Sequence, residues 1–332
     1  MDANTTSPDY WLNWRFLICS IWVLSPVVFA SILIWRYECS SHKTDREENR
    51  QDTTGSLYEY ETWRPCLKGI HPAWLLAFRF ISFLVLFALI AFDIIFVGAS
   101  VLYFYTQWTF LLVTIYFGVR SSTSMWGCYQ YFNGIGDDHF SSDSDRGTYM
   151  APPYQENPDI SATPKIRGCS NQFQVRQAAG KWGYVFQILF QVIYQICAGA
   201  VLLTDCVFWL VLFPFLSYAA SKLTIMKICM HSVNAFFLLA DTALNSLRFP
   251  WFRIAYFLIF TATFVIFQWI IHACISIPWP YPFLDLSSTY APLWYLVVAL
   301  LHLPCYYIFV LIIRLKSRLL LSCFPHSSDY TS

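Results

Sequence analysis

Seven stretches of roughly twenty or more mostly apolar residues recur along this chain, and each is long enough to cross a bilayer as a helix. They lie near Phe16 to Trp35, Ala73 to Val97, Trp108 to Tyr129, Gly183 to Thr204, Ile228 to Leu247, Phe252 to Cys274 and Leu293 to Ile313. A spanning segment must satisfy its own backbone hydrogen bonds across about 30 Å of hydrocarbon, which leaves the helix as the economical form. The expected fold is therefore all-α: a polytopic transmembrane bundle of about seven spans, six being the alternative. All of residues 1–332 form one transmembrane domain, with a flexible connection over 133–181 and a tail over 314–332. The apolar run Cys206 to Leu216 is too short to cross alone and contains Pro214, so it reads as re-entrant, interfacial or a continuation of the fourth span.

Composition excludes the soluble alternative. Charged residues make up 12% and hydrophobic ones 57%, against about a quarter charged in an ordinary soluble domain. Lys plus Arg (21) almost cancels Asp plus Glu (20), so no strong field points to nucleic acid.

Orientation follows from where the cations sit, because cationic loops resist translocation. Arg36, Lys43, Arg46, Arg50, Arg64 and Lys68 mark the first connection; Arg120, Arg146, Lys165, Arg167, Arg176 and Lys181 mark the third; Arg314, Lys316 and Arg318 mark the tail. These are expected in the cytoplasm. The connections Gly98 to Gln107 and Ile275 to Pro292 carry no Lys or Arg and are expected outside or in a lumen. Lys222 and Lys227 run against this pattern without reversing it. With no basic leader and with Asp2 and Asp9 ahead of it, the first span reads as a retained helix rather than a cleaved signal. The connection Asn133 to Lys181 is rich in Ser, Asp, Pro and Gly and reads as a disordered cytoplasmic linker, whose SSDSD stretch would suit an acidic-directed kinase.

Eleven cysteines show neither CxxC spacing nor zinc-like pairing with His, so neither a metal site nor any other cofactor is expected. Cys206, Cys229 and Cys274 fall near the outer side and are candidates for a disulfide, and Cys39 and Cys323 are juxtamembrane candidates for palmitoylation.

Ionisable and amide groups inside spans carry most of the functional information, since each is costly in lipid and turns to the bundle interior. On the fifth span His231, Asn234, Asp241 and Asn245 fall within about 80° of one another at 100° per residue. On the fourth, Gln187, Gln191 and Gln195 form a second stripe that could bond to the first. Such residues often only glue helices together, but His and Asp can also exchange protons. The expected topology brings Asp93, Thr109, Asp205, His231 and His272 to one depth near the outer face. A threonine hydroxyl becomes a nucleophile when an imidazole takes its proton, and a carboxylate can orient that imidazole. Thr109 with His231 would make such a dyad, supported by Asp93, Asp205, Asn234 or His272. Asp241 lies about 15 Å of helix from His231 and cannot orient it. His302 reads as a packed histidine beside Pro304.

Trp63 to Arg79 (WRPCLKGIHPAWLLAFR), Tyr105 to Gly118 (YTQWTFLLVTIYFG), Met230 to Pro250 (MHSVNAFFLLADTALNSLRFP) and Trp279 to Asp285 (WPYPFLD) resemble the plant branch of the rolling-stone and androgen-induced-gene superfamily. The resemblance spans Trp63 to about Ile313. It implies a multi-pass hydrolase of fatty acid esters of hydroxy fatty acids, with the family's Thr falling on Thr109 and its His on His231. The long third connection, the amino-terminal span and the WRPC segment depart from the animal pattern. The expected partners are membrane lipid and a lipid-ester substrate, in the plasma membrane or an endomembrane. The alternative is a non-catalytic receptor, transport component or structural partner. Against a receptor, the third span lacks a D-R-Y-like end and the last lacks N-P-x-x-Y; against a transporter, no repeat of broken spans relates the two halves.

Overall fold

The computed structural model describes residues 4–39, 63, 65–67, 70–133, 181–214, 225–245, 247 and 249–323; side chains are described throughout these except at 39, 181–188 and 321. The chain is all-α. Its helices are α1 (Pro8–Trp11), α2 (Trp14–Ile34), α3 (Pro72–Val97), α4 (Tyr105–Phe132), α5 (Lys181–Val207), α6 (Ile225–Met230), α7 (Val233–Leu244), α8 (Ile254–Cys274) and α9 (Ala291–Cys323).

Local chemistry sets several of these ends. The Asn13 side chain accepts the Phe16 N–H at 3.0 Å and starts α2. His71 Nδ1 accepts the Ala73 N–H at 3.2 Å, with Pro72 in the first turn of α3, where its missing N–H costs nothing. Gly98 stops α3 at φ +93°, a conformation that residues with a Cβ rarely adopt. Pro26 and Pro304 lie inside α2 and α9 without ending them.

Among the described residues, five helical segments are long and apolar enough to cross a membrane: Trp14–Glu38, Pro72–Val97, Leu189–Leu212, Trp251–Cys274 and Ala291–Leu320. The protein is thus a multi-pass helical membrane protein, but the expected seven spans reduce to five by this measure. The expected third span is present as α4, whose 28 residues extend about 42 Å. It fails on composition because its buried face carries Thr109, Thr114, Arg120, Ser121 and Ser124, although Leu111, Ile115 and Met125 are exposed on its outward face. The expected fifth span is broken at His231 and Ser232, leaving α6 and a twelve-residue α7 of about 18 Å.

The short run after the fourth span continues it: α5 passes into a π-helical turn at Phe208–Leu212. The last helix runs to Cys323, so the expected tail begins as helix. The residues between Asn133 and Lys181, with their SSDSD stretch, lie outside the described residues, as do Lys222 and the side chains of Cys39 and Gln187. Cys206, Cys229 and Cys274 are free thiols, so the disulfide considered among them is not formed.

Helix α5 is the hub, packed on α4, α8 and α9, while α3 pairs with α4 and α2 lies against α8 and α9. The core has two main clusters. One joins Cys19, Leu203, Phe257 and Tyr295; the other joins Leu86, Phe110, Phe117, Tyr194 and Leu238. Close approach of α5 to α8 requires Gly199, where an added Cβ would lie 2.5 Å from the Phe257 ring. The outward faces stay apolar and bare, as at Leu17, Leu24, Phe87 and Leu300, which is the surface a bilayer covers.

At the end expected to face outward, hereafter the outer end, the amino-terminal segment is tied to the connection between α8 and α9. Tyr10 donates to Asp285 at 2.8 Å, Trp279 donates to the Tyr10 oxygen at 3.0 Å, and Arg15 donates to the Ser287 carbonyl at 2.6 Å. At the opposite end Arg253 donates to Glu38 at 2.8 Å and Tyr256 also donates to Glu38, fastening α2 to α8.

Candidate functional site

His231 is placed by the break between α6 and α7. Its N–H shares the Lys227 and Ile228 carbonyls, and its own carbonyl accepts the Trp209 indole N–H at 3.2 Å. The imidazole lies flat on Phe208, with ring centres 3.7 Å apart and planes 5° from parallel. Nδ1 is 3.7 Å from Asp205 Oδ1, within ion-pair range but beyond a hydrogen bond. One residue before Asp205, Thr204 donates to the Ala200 carbonyl at 2.7 Å. Its single proton is thereby committed, so in the 3.3 Å contact with Thr109 it is the Thr109 hydroxyl that donates.

Thr204 and His231 border one partly open cavity. Most of its wall is apolar, including Leu203, Val207 and Phe264, and its other polar groups are Tyr105, Thr106, Thr261 and Tyr281. The phenol of Tyr105 and the Thr261 hydroxyl are bonded at 2.8 Å. Thr109 stands behind Thr204, fully buried, and no hydrogen bond joins it to His231 among the described residues.

The remaining sequence candidates have other partners. Asp93 accepts the Gln107 amide at 2.6 Å. The Asn234 carbonyl oxygen accepts the Ala235 N–H at 2.8 Å, while its NH₂ group is buried and unbonded. His272 bonds through Nδ1 to the Gln268 carbonyl at 2.8 Å and stacks on Trp279 with ring centres 3.7 Å apart. The structure thus groups Asp205, His231 and, through Thr204, Thr109. No group of three or more His, Cys, Asp or Glu able to hold a metal occurs among the described residues.

A second polar centre lies nearer the opposite end, and only Asp241 and Asn245 of it were singled out in the sequence. Asp241, fully buried, accepts from Arg79 Nε at 2.7 Å, Tyr116 OH at 2.6 Å and Asn245 Nδ2 at 3.0 Å, with Arg120 Nε at 3.8 Å. Arg79 also donates to Ser124, and the Arg120 guanidinium stacks over the Phe190 ring at 4.7 Å. Lys316 donates to the Asn245 carbonyl. Arg120, assigned from sequence to a cytoplasmic connection, is instead wholly buried in α4. The signal that would have found this centre is the presence of Arg79 and Arg120 within apolar runs, since a membrane cation must have a partner. Gln191 and Gln195 of the glutamine stripe face inward, but Gln191 accepts from Arg253 rather than from the His231-to-Asn245 stripe.

No protein-family model matches this chain, nor does any curated protein or solved structure.

Proposed function

We propose that this membrane protein is an intramembrane hydrolase of a lipid ester, with His231 as general base and a threonine of the Thr109–Thr204 pair as nucleophile. The observation that carries the reading is that Thr204 and His231 border one largely apolar cavity, with the Asp205 carboxylate beside the imidazole. With Nδ1 turned toward Asp205, Nε2 is the nitrogen left to take a proton. As the threonine oxygen attacks the ester carbonyl its proton passes to Nε2, and from there to the departing alcohol; water then cleaves the acyl-threonine by the same route in reverse. The apolar walls suit an acyl chain, and the site's place within a membrane bundle suits a substrate arriving from the bilayer.

The two hydroxyls divide the support. Thr109 occupies the position of the catalytic threonine in the androgen-induced-gene proteins the sequence resembles, and Thr204 is the one on the cavity wall. Labelling of the reconstituted protein with a fluorophosphonate probe separates them. The expected result is labelling that is lost in His231→Ala and in one of Thr109→Ala or Thr204→Ala. Unlabelled but folded wild-type protein, or labelling that survives all three substitutions, overturns the proposal.

A non-catalytic role, for instance as a transport component, draws on the Arg79–Asp241–Arg120 centre, which places charge at a second depth. Under that reading the folded wild type takes no probe at all.

A further inference from the structure

A second, partly open cavity lies between α2, α8 and α9. It shares Thr261, Val265, Phe283, Leu284 and Val298 with the first cavity, so the two are chambers on either side of a thin wall. Pro26 and Trp22 border it from α2, and His302 borders it from α9. Trp294 also lines it while remaining 39% exposed on the outside of the bundle, so the chamber reaches the surface that lipid covers.

His302 gives this chamber chemical character. Its Nδ1 lies 2.8 Å from the Val298 carbonyl of its own helix. A carbonyl only accepts, so Nδ1 carries the hydrogen. A neutral imidazole has one N–H, which leaves Nε2 a bare acceptor. Among the described residues that atom is buried with no partner. The ring is 3% exposed and packs on Phe257 with centres 4.6 Å apart. A buried acceptor without a donor costs about 1–3 kcal/mol in general, and a ligand that brings the donor recovers that cost. An ester or ketone cannot do so, since it has only acceptors. An ammonium could donate but would lose its hydration against apolar walls. A hydroxyl on an otherwise apolar body satisfies both conditions.

We infer that this chamber binds a membrane lipid whose apolar body carries one hydroxyl, donated to His302 Nε2. A sterol and a long-chain alcohol share that chemistry. The site is distinct from the His231 centre and does not depend on hydrolysis.

The test uses the full chain in nanodiscs with two photoreactive, clickable probes, a sterol with a free hydroxyl and a long-chain primary alcohol. Each is competed by its unlabelled alcohol and by the corresponding methyl ether. At least one probe should label peptides of α2, α8 or α9, and the probe that does so identifies the source. In wild type the alcohol should compete about fivefold to tenfold better than its ether, the scale of one neutral hydrogen bond. His302→Leu should erase that difference, Ala299→Phe, which fills the chamber, should abolish labelling, and His231→Ala should leave labelling unchanged. Equal competition by alcohol and ether in wild type, or labelling confined to other helices, overturns the assignment without touching the hydrolase reading. The wild-type comparison stands even where a variant fails to fold.

Discussion

Asp241→Asn changes one atom type at the point where the bundle concentrates its buried charge. In the native chain the carboxylate accepts from Arg79, Tyr116 and Asn245 and lies 3.8 Å from Arg120, with both members of the Arg79–Asp241 pair fully buried. The amide retains the shape but removes the negative charge facing two guanidinium groups, and it turns one accepting position into a donor that now meets donors. Removing one partner of a buried ion pair costs about 3–5 kcal/mol, because the remaining charge stays desolvated without its counter-charge. The same position in water would cost below about 1 kcal/mol, so the size of the loss reports the burial. At roughly 2–4 °C per kcal/mol for a chain of this order of size, the midpoint of thermal unfolding in detergent should fall by about 10 °C. Asp93→Asn is the control. That carboxylate accepts the Gln107 amide at a partly exposed position, and its loss should shift the midpoint by far less. The assay is tryptophan fluorescence or fluorescence-detected size exclusion after heating, on protein in one detergent. A melting midpoint for Asp241→Asn within about 1 °C of wild type would refute the claim that Asp241 neutralises a desolvated arginine pair.

Two further outcomes follow from geometry. Gly199→Val places its Cβ 2.5 Å from the Phe257 ring and should separate α5 from α8, costing about 1–3 kcal/mol of stability; an unchanged melting point together with retained fluorophosphonate labelling would contradict the close approach. Tyr10, in the extramembrane strap, has its phenol pKa raised by burial and secondarily by the Asp285 carboxylate it bonds. Because the folded-state value lies above the unfolded value of about 10, stability from this group is complete below pH 10 and is lost as pH rises through the folded value. Tyr10→Phe should therefore flatten the alkaline limb of a stability–pH curve, and an identical limb in the variant would count against the strap.

The helices were legible because hydrocarbon imposes a length and a composition that no other environment asks of so many residues at once. Helix α4 reads as a span from its apolar run, whereas its buried Thr114, Arg120, Ser121 and Ser124 keep it out of the five most apolar segments. Legibility failed at a helix break. The break at His231 and Ser232 was hidden because no Pro or Gly marks it, and the continuous apolar pattern from Ile228 to Leu247 reads as one helix. The same break decides the site. A stripe drawn at 100° per residue assumes one helix, whereas His231 stands outside α7 and is oriented by Phe208, Trp209 and Asp205 from the end of α5. Thr204 escaped notice because a threonine one residue from an aspartate has no periodic signature; only packing of α4 on α5 brings it to Thr109.

Depth relates the two polar centres. From Thr109 to Arg120 along α4 is about 16 Å, so the outer hydroxyl pair and the inner charges belong to different halves of the bundle. Between them, Thr114 donates to its own helix at the Phe110 carbonyl, 2.8 Å away. Tyr194 and Thr242 bond to each other at 3.0 Å, and Thr242 also donates to the Leu238 carbonyl at 2.6 Å. Phe110, Val113, Phe117 and Leu238, all fully buried, fill the same region. A permeation path needs polar groups left open to a passing ion, one after another, through the thickness. Here Thr114, Tyr194 and Thr242 are closed on one another or on their own helices within a packed apolar band, and the buried Asn234 amide is the intermediate group with an NH₂ left unbonded among the described residues. The inner centre then has the character of a fastening among α3, α4 and α7, while the outer cavity holds His231 beside Asp205, the pair on which the proposed hydrolase reading rests.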